Sequence, residues 1–80
     1  MNLEKLNARD AKSVTPSDST DLSYAAMALY VGTGGNIQLT TMGGTTLTFS
    51  NVQGGSYLNV QTRRVWSTST TASNIISLIP

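Results

Sequence analysis

Residues 28–39 read ALYVGTGGNIQL, and the fold depends on what the glycines in this stretch do. Either they cradle a phosphate ahead of a helix, or they form the turn between two β-strands. A phosphate-binding loop is followed by a helix whose N-terminus meets the anion, usually with a lysine close behind. Here the following residues alternate, with Ile37 and Leu39 on one face, and no lysine occurs after Lys12. The pattern therefore favours turn glycines over a nucleotide site.

Five segments after residue 22 have the pattern of β-strands, either a continuous apolar run or strict alternation of apolar and polar side chains. In these segments Leu47, Phe49, Leu58 and Val60 should point inwards, and Tyr30 should belong to the core. A bend or bulge is expected near Arg63. The segments are residues 26–31, 36–40, 46–52, 57–66 and 74–79.

A Gly-Gly pair recurs between these segments. Gly-Gly supplies the positive φ angles that tight hairpin turns require. Regular short strands with a turn every ~8–12 residues are typical of a sandwich or a small barrel. The pairs are Gly34-Gly35, Gly43-Gly44 and Gly54-Gly55.

The sequence therefore predicts an all-β fold, a small antiparallel β-sandwich or barrel of about six short strands with an extended N-terminal arm. The arm comprises residues 1–22 and a single β domain residues 23–80. Residues 2–12 favour one or two helical turns, and the residues around Pro16 end any helix. The arm is either solvated or ordered against a neighbouring subunit.

Charged residues are unevenly distributed along the chain. Seven of them fall in the first 21 residues, whereas the rest of the chain carries only Arg63 and Arg64. Soluble monomers usually carry about a quarter charged residues. The chain of 80 residues also has no cysteine for disulfides, so a domain this small is expected to gain stability from oligomerisation. We expect much of its surface to face other protein.

Composition also limits the partners and the chemistry. The formal net charge of +1 is too small to predict nucleic acid or an anionic membrane as partner. No apolar run approaches the ~20 residues that span a bilayer, and the start lacks the pattern of a signal peptide. Without His or Cys, the familiar nucleophile systems cannot be built in one chain. We predict no enzyme activity, no cofactor and no metal site.

The carboxylates offer no alternative chemistry. All of them lie in the arm, which lacks the rigid support that catalytic groups need. Asp18 and Asp21 are spaced like two oxygen ligands of Ca²⁺, but the rest of a calcium loop is missing. A turn or cap is the simpler interpretation of this pair. The carboxylates are those of Glu4, Asp10, Asp18 and Asp21.

The candidate contact residues of the predicted β domain are Arg63, Arg64 and Trp66. Consecutive side chains of a regular strand point to opposite faces, so the two arginines are not expected to form one patch. Each arginine either pairs with an acid at the edge of its own domain or bridges to Asp18 or Asp21 of a neighbouring subunit. Trp66 stands beside a polar loop, where an indole is half buried and half available for contact.

Four stretches of the chain resemble a family of small virion proteins, the head spike base proteins of tailed bacteriophages and gene transfer agents. The resemblance covers roughly residues 10–79, and its most specific parts are VTPSD, ALYVGTGG and TRRV. The stretches are VTPSDSTDL, ALYVGTGGNIQLTTMGG, LTFSNVQGGSYLNVQTRRV and TTASNIISL.

The resemblance implies a non-enzymatic β subunit of the virion that is synthesised in the host cytoplasm. It implies a homo-oligomeric ring or cluster on the capsid surface, bound to the major capsid protein and to a spike or fibre protein that it anchors. Some relatives decorate the capsid elsewhere or belong to a tail. The alternative is a receptor- or glycan-binding β module of a fibre or tail, which would use Trp66 and Tyr57.

Overall fold

The computed structural model describes residues 8–80, which form two antiparallel β-sheets packed as a small sandwich. The predicted all-β sandwich is therefore confirmed, with seven strands where about six were expected. The strands are β1 (Asp10–Ser13), β2 (Ala28–Thr33), β3 (Gly35–Thr41), β4 (Thr46–Val52), β5 (Ser56–Leu58), β6 (Thr62–Val65) and β7 (Ser73–Ile79).

The chain alternates between the sheets instead of finishing one before starting the other. Sheet A has four strands in the order β1-β7-β2-β5, and sheet B has three in the order β4-β3-β6. Only β3 and β4 are both consecutive in sequence and paired as a hairpin. Every other ladder joins strands that are distant along the chain.

The core lies between the sheets and is built by alternation. Leu29 and Val31 of β2 face Ile37 and Leu39 of β3, and all four side chains are fully buried. Burying a side chain of this size stabilises the fold by about 1.5–3 kcal/mol. The remaining buried apolar residues of the cluster are Ala26, Val65, Ala72 and Ile75.

Residues 14–27 close one side of the sandwich. Val14 N donates to Ile75 O in sheet A, and Ser17 N then donates to Val65 O in sheet B. Leu22 N donates to Arg63 O. The predicted arm is thus bonded to both sheets over its described part, and its backbone covers the outer edge of β6.

The helical turns expected over residues 2–12 are wrong for the part that is described. Residues 10–13 form β1, because their backbone pairs with β7 from Asp10↔Ile79 to Ser13↔Ile76. Residues 1–7 lie outside the described chain. The division of the chain at residue 22 stays a prediction. Within residues 8–80, no helix is long and apolar enough to cross a membrane.

One predicted core side chain lies on the outer face, and one that points inwards as predicted is only partly covered. Tyr30 lies on the outer face of sheet A and is half-buried, since its neighbours Leu29 and Val31 take the core side. Leu47 points to the core side of β4 but is 37% exposed, because β4 is an edge strand that sheet A does not fully cover. The predicted strand 57–66 divides into β5 and β6, which belong to different sheets.

The three glycine pairs have three different structural roles. Gly43-Gly44 forms the β3–β4 hairpin turn, with φ of 93° at Gly44. Gly54-Gly55 turns the chain from sheet B into sheet A, with φ of 80° at Gly55. The hairpin prediction is wrong for Gly34-Gly35 and for Gly54-Gly55, because β2 and β3, and likewise β4 and β5, belong to different sheets and do not pair.

Gly34 is required by close approach of backbone. A Cβ at Gly34 would lie 2.5 Å from Val52 O and 2.9 Å from Gly54 N. Gly54 in turn lies against Gly32, since a Cβ at Gly54 would be 3.0 Å from Gly32 O. The crossing from sheet A to sheet B therefore packs directly on the return crossing, with no room for side chains between them.

We predict that Gly34→Ala lowers the free energy of unfolding by about 1–3 kcal/mol, because a methyl group must displace backbone rather than a flexible side chain. Urea or thermal denaturation measures the change. Gly43→Ala is the matched control, since its nearest contact would be Thr41 Oγ1 at 3.7 Å. Equal stability of the two variants would contradict the close packing of the crossings.

Candidate interaction surfaces

Asp18 fastens residues 14–22 to the loop that follows β6. Its carboxylate accepts hydrogen bonds from Ser67 N at 3.0 Å, from Thr68 N at 2.9 Å and from the Thr68 hydroxyl. The Thr68 hydroxyl bond is the main cause that lowers the pKa of Asp18 below its ordinary value of 3.8, followed by the Thr68 N–H. The ionised form of Asp18 is thus the one that the folded chain binds.

Asp21 forms ion pairs with both Arg63 and Arg64. Arg64 Nε donates to Asp21 Oδ1 at 2.7 Å, and Arg63 Nε lies 3.9 Å from Asp21 Oδ2. Arg64 also donates to the main-chain oxygen of Asp18 at 3.2 Å. The Arg64 side chain is 24% exposed and the Arg63 side chain 48%. Arg64 therefore binds within the fold through two of its nitrogens. Among the described residues, the only polar contact found for the Arg63 guanidinium is the 3.9 Å contact with Asp21.

Trp66 completes the same surface. The Arg64 guanidinium lies over the Trp66 ring at 5.0 Å from the centroid, a cation–π arrangement. The indole N–H donates to Thr40 Oγ1 at 2.9 Å, and Thr40 Oγ1 lies 2.7 Å from Thr46 Oγ1. The indole is therefore engaged within the chain through its N–H and one ring face.

The structure brings all five predicted contact residues into one place, which we call the clasp. The expectation that the arginines point apart is wrong. The β3–β6 register shifts at this point, with Thr40 opposite Arg64 and Thr41 opposite Thr62, so the bulge expected near Arg63 is present and interrupts the alternation. Thr62 and Val65 are both buried, and the two arginines between them both reach Asp21 just beyond the outer edge of β6. The clasp comprises Asp18, Asp21, Arg63, Arg64 and Trp66.

The clasp depends on residues that the sequence analysis did not single out. Thr68 and Thr40 provide the hydroxyl groups that bind Asp18 and Trp66. Nothing in the sequence distinguishes these two from the other threonines, because the contacts join residues far apart in the chain. Within residues 8–80, no three His, Cys, Asp or Glu side chains are grouped so that they would hold a metal ion.

The outer face of sheet A is a second surface, and it is apolar. Tyr30 pairs with Ile76 on one side and with Tyr57 on the other, where the two rings meet edge to face at 5.3 Å. Leu78 lies on the same face. Tyr57 is 57% exposed, and the other three are half-buried. Sheet A is therefore apolar on both faces, as in sheets that are covered on both sides.

Sequence analysis missed this face, although a signal was present. In residues 75–78 the side chains of Ile75 and Ser77 turn inwards while Ile76 and Leu78 turn outwards. Apolar residues thus occupy both phases of the alternation. A strand with one solvated face normally has polar residues in one of the two phases.

Tyr57 and Trp66 do not form the joint glycan site of the alternative interpretation. Tyr57 lies on the outer face of sheet A. Trp66 lies on the outer face of sheet B, beside Thr40 and Arg64. The sandwich separates the two side chains, because β5 and β6 belong to different sheets although they are close in sequence.

The fold and these two surfaces define the class: a small all-β sandwich protein with an apolar outer face on sheet A and a polar clasp on sheet B. The chain is similar to a chain in a solved structure described as "Capsid of native GTA particle computed with C5 symmetry". The two are 41% identical with a TM-score of 0.79, and the match covers 88% of this chain and 81% of the other. The chain therefore belongs to the family of that gene transfer agent (GTA) capsid component, among virion structural proteins. No family model and no curated protein matches it.

We predict that Asp18→Asn lowers the thermal midpoint at pH 7, because a neutral amide is a weaker acceptor for Ser67 and Thr68. Since the folded-state pKa of Asp18 is lowered, the stabilisation is fully present above the ordinary pKa and is lost as pH falls through the folded pKa. The gap between wild type and variant should therefore shrink below pH 3.8. Thermal melts across a pH series measure it.

Asp10→Asn is the control for this series. The Asp10 carboxylate is exposed, accepts one bond from the adjacent Ala11 N and lies 3.9 Å from Lys12 Nζ. A gap between wild type and Asp18→Asn that stays constant down to pH 2 would contradict the assigned role of Asp18.

Proposed function

We propose that this chain is a non-enzymatic structural subunit of a virion. It forms a homo-oligomer on the capsid surface, serves as a head spike base and anchors an outer fibre. The observation that carries the proposal is the 41% identity, over 88% of the chain, to a component of a GTA capsid. The stretches VTPSD, ALYVGTGG and TRRV support the spike-base role within that class.

The apolar outer face of sheet A supports assembly. Tyr30, Tyr57, Ile76 and Leu78 present an uncharged surface that water solvates poorly. Contact with a second copy or with the major capsid protein would remove this apolar surface from water. Burial of apolar surface stabilises such a contact by about 25 cal/mol per Å². The face thus favours a chain that works in contact with other subunits.

The clasp supports a second, more polar contact on the opposite sheet. Arg63 is half-exposed and lies at the longer distance from Asp21, so it retains donors for an acidic or carbonyl group of a partner. We propose that the clasp side tethers the subunit to the adjacent copy or to the capsid. Two faces of different chemistry suit a base that binds capsid on one side and a fibre protein on the other.

We predict different outcomes for the two arginines. Arg64→Ala should lower the free energy of unfolding by about 1 kcal/mol, because it removes a short ion pair and the contact with Trp66. Arg63→Ala should leave stability within about 0.5 kcal/mol and weaken the oligomer. Chemical denaturation and light scattering coupled to size exclusion measure the two effects. An oligomer unchanged in Arg63→Ala would remove Arg63 from the interface.

The first test of the proposed function is the number of copies of this chain per major capsid subunit, measured by quantitative mass spectrometry of purified particles. A spike base should give a low ratio that matches the vertices. One copy per capsid subunit would instead make it a lattice decoration protein, and absence from the particles would overturn the virion assignment.

A further inference from the structure

Four strands lie at sheet edges in the described chain, and three of these edges are protected. The backbone of residues 17–22 covers β6, and β5 has only three residues. β1 has only four residues and carries the exposed charges of Asp10 and Lys12, and the Asp10 carboxylate caps Ala11 N. Short edges and charged side chains on the edge are known means of preventing edge-to-edge pairing.

The fourth edge, β4, is not covered by another segment. Its β-bulge lies at its end, where the register with β3 shifts between Gly35 and Ile37 and Asn51 has a φ of 57°, and residues 46–49 before it pair with β3 in regular register. Its seven residues TLTFSNV contain no charge and no proline. Among the hydrogen bonds of the described residues, none joins the backbone of Thr46, Thr48 or Ser50 to a group outside the sheet. Long, uncharged edges of this kind pair readily with another strand.

The hydrogen bonds of β3 determine in which direction the unpaired backbone N–H and C=O groups of β4 point. Gln38 N donates to Thr70 Oγ1, and Gln38 O accepts from Trp66 N. Both groups therefore point away from β4. Successive residues of a strand direct their backbone groups to opposite sides. The backbone groups of Ile37 and Leu39 therefore point towards β4, where they bind Phe49 and Leu47.

Thr48 lies between those partners, and Thr46 precedes Leu47 in the same phase, so both must point outwards. The backbone N–H and C=O groups of Thr46 and Thr48 are directed away from β3 into the open edge, and Ser50 follows in the same phase just before the register shift. They form a row of donors and acceptors that is ready to accept a further strand. Their side chains lie on the outer face of sheet B, where Thr48 is opposite Gln38.

The segment TLTFS is nearly palindromic about Thr48. An antiparallel copy centred there would set Thr46 opposite Ser50 and Leu47 opposite Phe49, with Thr48 opposite its own copy. The hydroxyl residues would line one face and the apolar residues the other. Leu47, which is 37% exposed, would gain an aromatic cross-strand neighbour, a favourable type of pair.

We propose that β4 pairs antiparallel with β4 of a second copy of this chain, centred on Thr48. The pairing fuses two three-stranded sheets B into one continuous sheet. It goes beyond the proposed function and does not rest on it. The contact is isologous, so it joins two copies side by side and is not a contact between neighbours around a five-fold axis.

Thr48→Pro tests the pairing directly. Proline removes the outward N–H of Thr48 but no bond of the β3–β4 ladder, and edge strands tolerate proline at such positions. Thr48→Val keeps the N–H and is the matched control. We expect the mass by light scattering to fall by half in Thr48→Pro and to be unchanged in Thr48→Val. An equal mass for Thr48→Pro and wild type, or a monomeric wild type, would overturn the proposal.

Thr48→Cys keeps the test decisive if the proline variant fails to fold. The chain has no cysteine of its own, and opposite residues in a hydrogen-bonded pair have Cα atoms about 5.5 Å apart, within the range of a disulfide. Oxidation should give one cross-linked dimer on a non-reducing gel, and Asn59→Cys, exposed in the loop between β5 and β6, should not. Absence of the Thr48→Cys dimer would overturn the pairing.

These outcomes are separable from those of the proposed function. The copy number in purified particles tests whether the chain is a virion protein, whatever its mass in solution. A chain that is present in particles but is unaffected by Thr48→Pro would leave the virion role standing and remove only the β4 contact.

Discussion

The sandwich depends on a close crossing of backbone at Gly32, Gly34 and Gly54. The chain leaves sheet A after β2, enters sheet B at β3 and later returns through Gly54-Gly55. At this point the carbonyl and amide groups of the two crossings lie against each other, so that an added Cβ would fall within 3.0 Å of backbone. Because β2 and β3 hold Leu29, Val31, Ile37 and Leu39, this crossing sets the distance at which the two halves of the core meet.

The opposite side of the sandwich is held by polar contacts instead. Residues 14–27 run from sheet A to β6 and back, and the carboxylates of Asp18 and Asp21 bind a loop and two arginines there. These charges are few, and within the described chain they are concentrated at the clasp and at β1. The remaining surface of the described chain is therefore formed mainly by hydroxyl and apolar side chains, and this contrast distinguishes the apolar outer face of sheet A from the polar clasp.

Local pattern predicted the strands well and their pairing poorly. The bounds of β4 agree with the segment 46–52, and the inward positions of Ile37 and Leu39 are as expected. Alternation does not distinguish strands that pair from strands that cross to another sheet, so the sequence predicts a hairpin at Gly34-Gly35 where β2 and β3 do not pair. β1 had no apolar signal, since its residues DAKS are all exposed and gain order from the backbone of β7. The sequence predicted all five residues of the clasp as contact residues. Their geometry was not predictable, because it depends on contacts between residues more than forty positions apart.

The position of β7 has a consequence for how the chain folds. β7 lies inside sheet A, between β1 from the beginning of the described chain and β2. Sheet A therefore cannot form until β7 has left the ribosome, and within the described chain every ladder except the β3–β4 hairpin must close a long loop. Folds dominated by such non-local pairings fold slowly, in milliseconds to seconds. During that interval the edge of β2 that β7 later occupies is unprotected, so newly made chains are most exposed to aggregation before β7 pairs with β2.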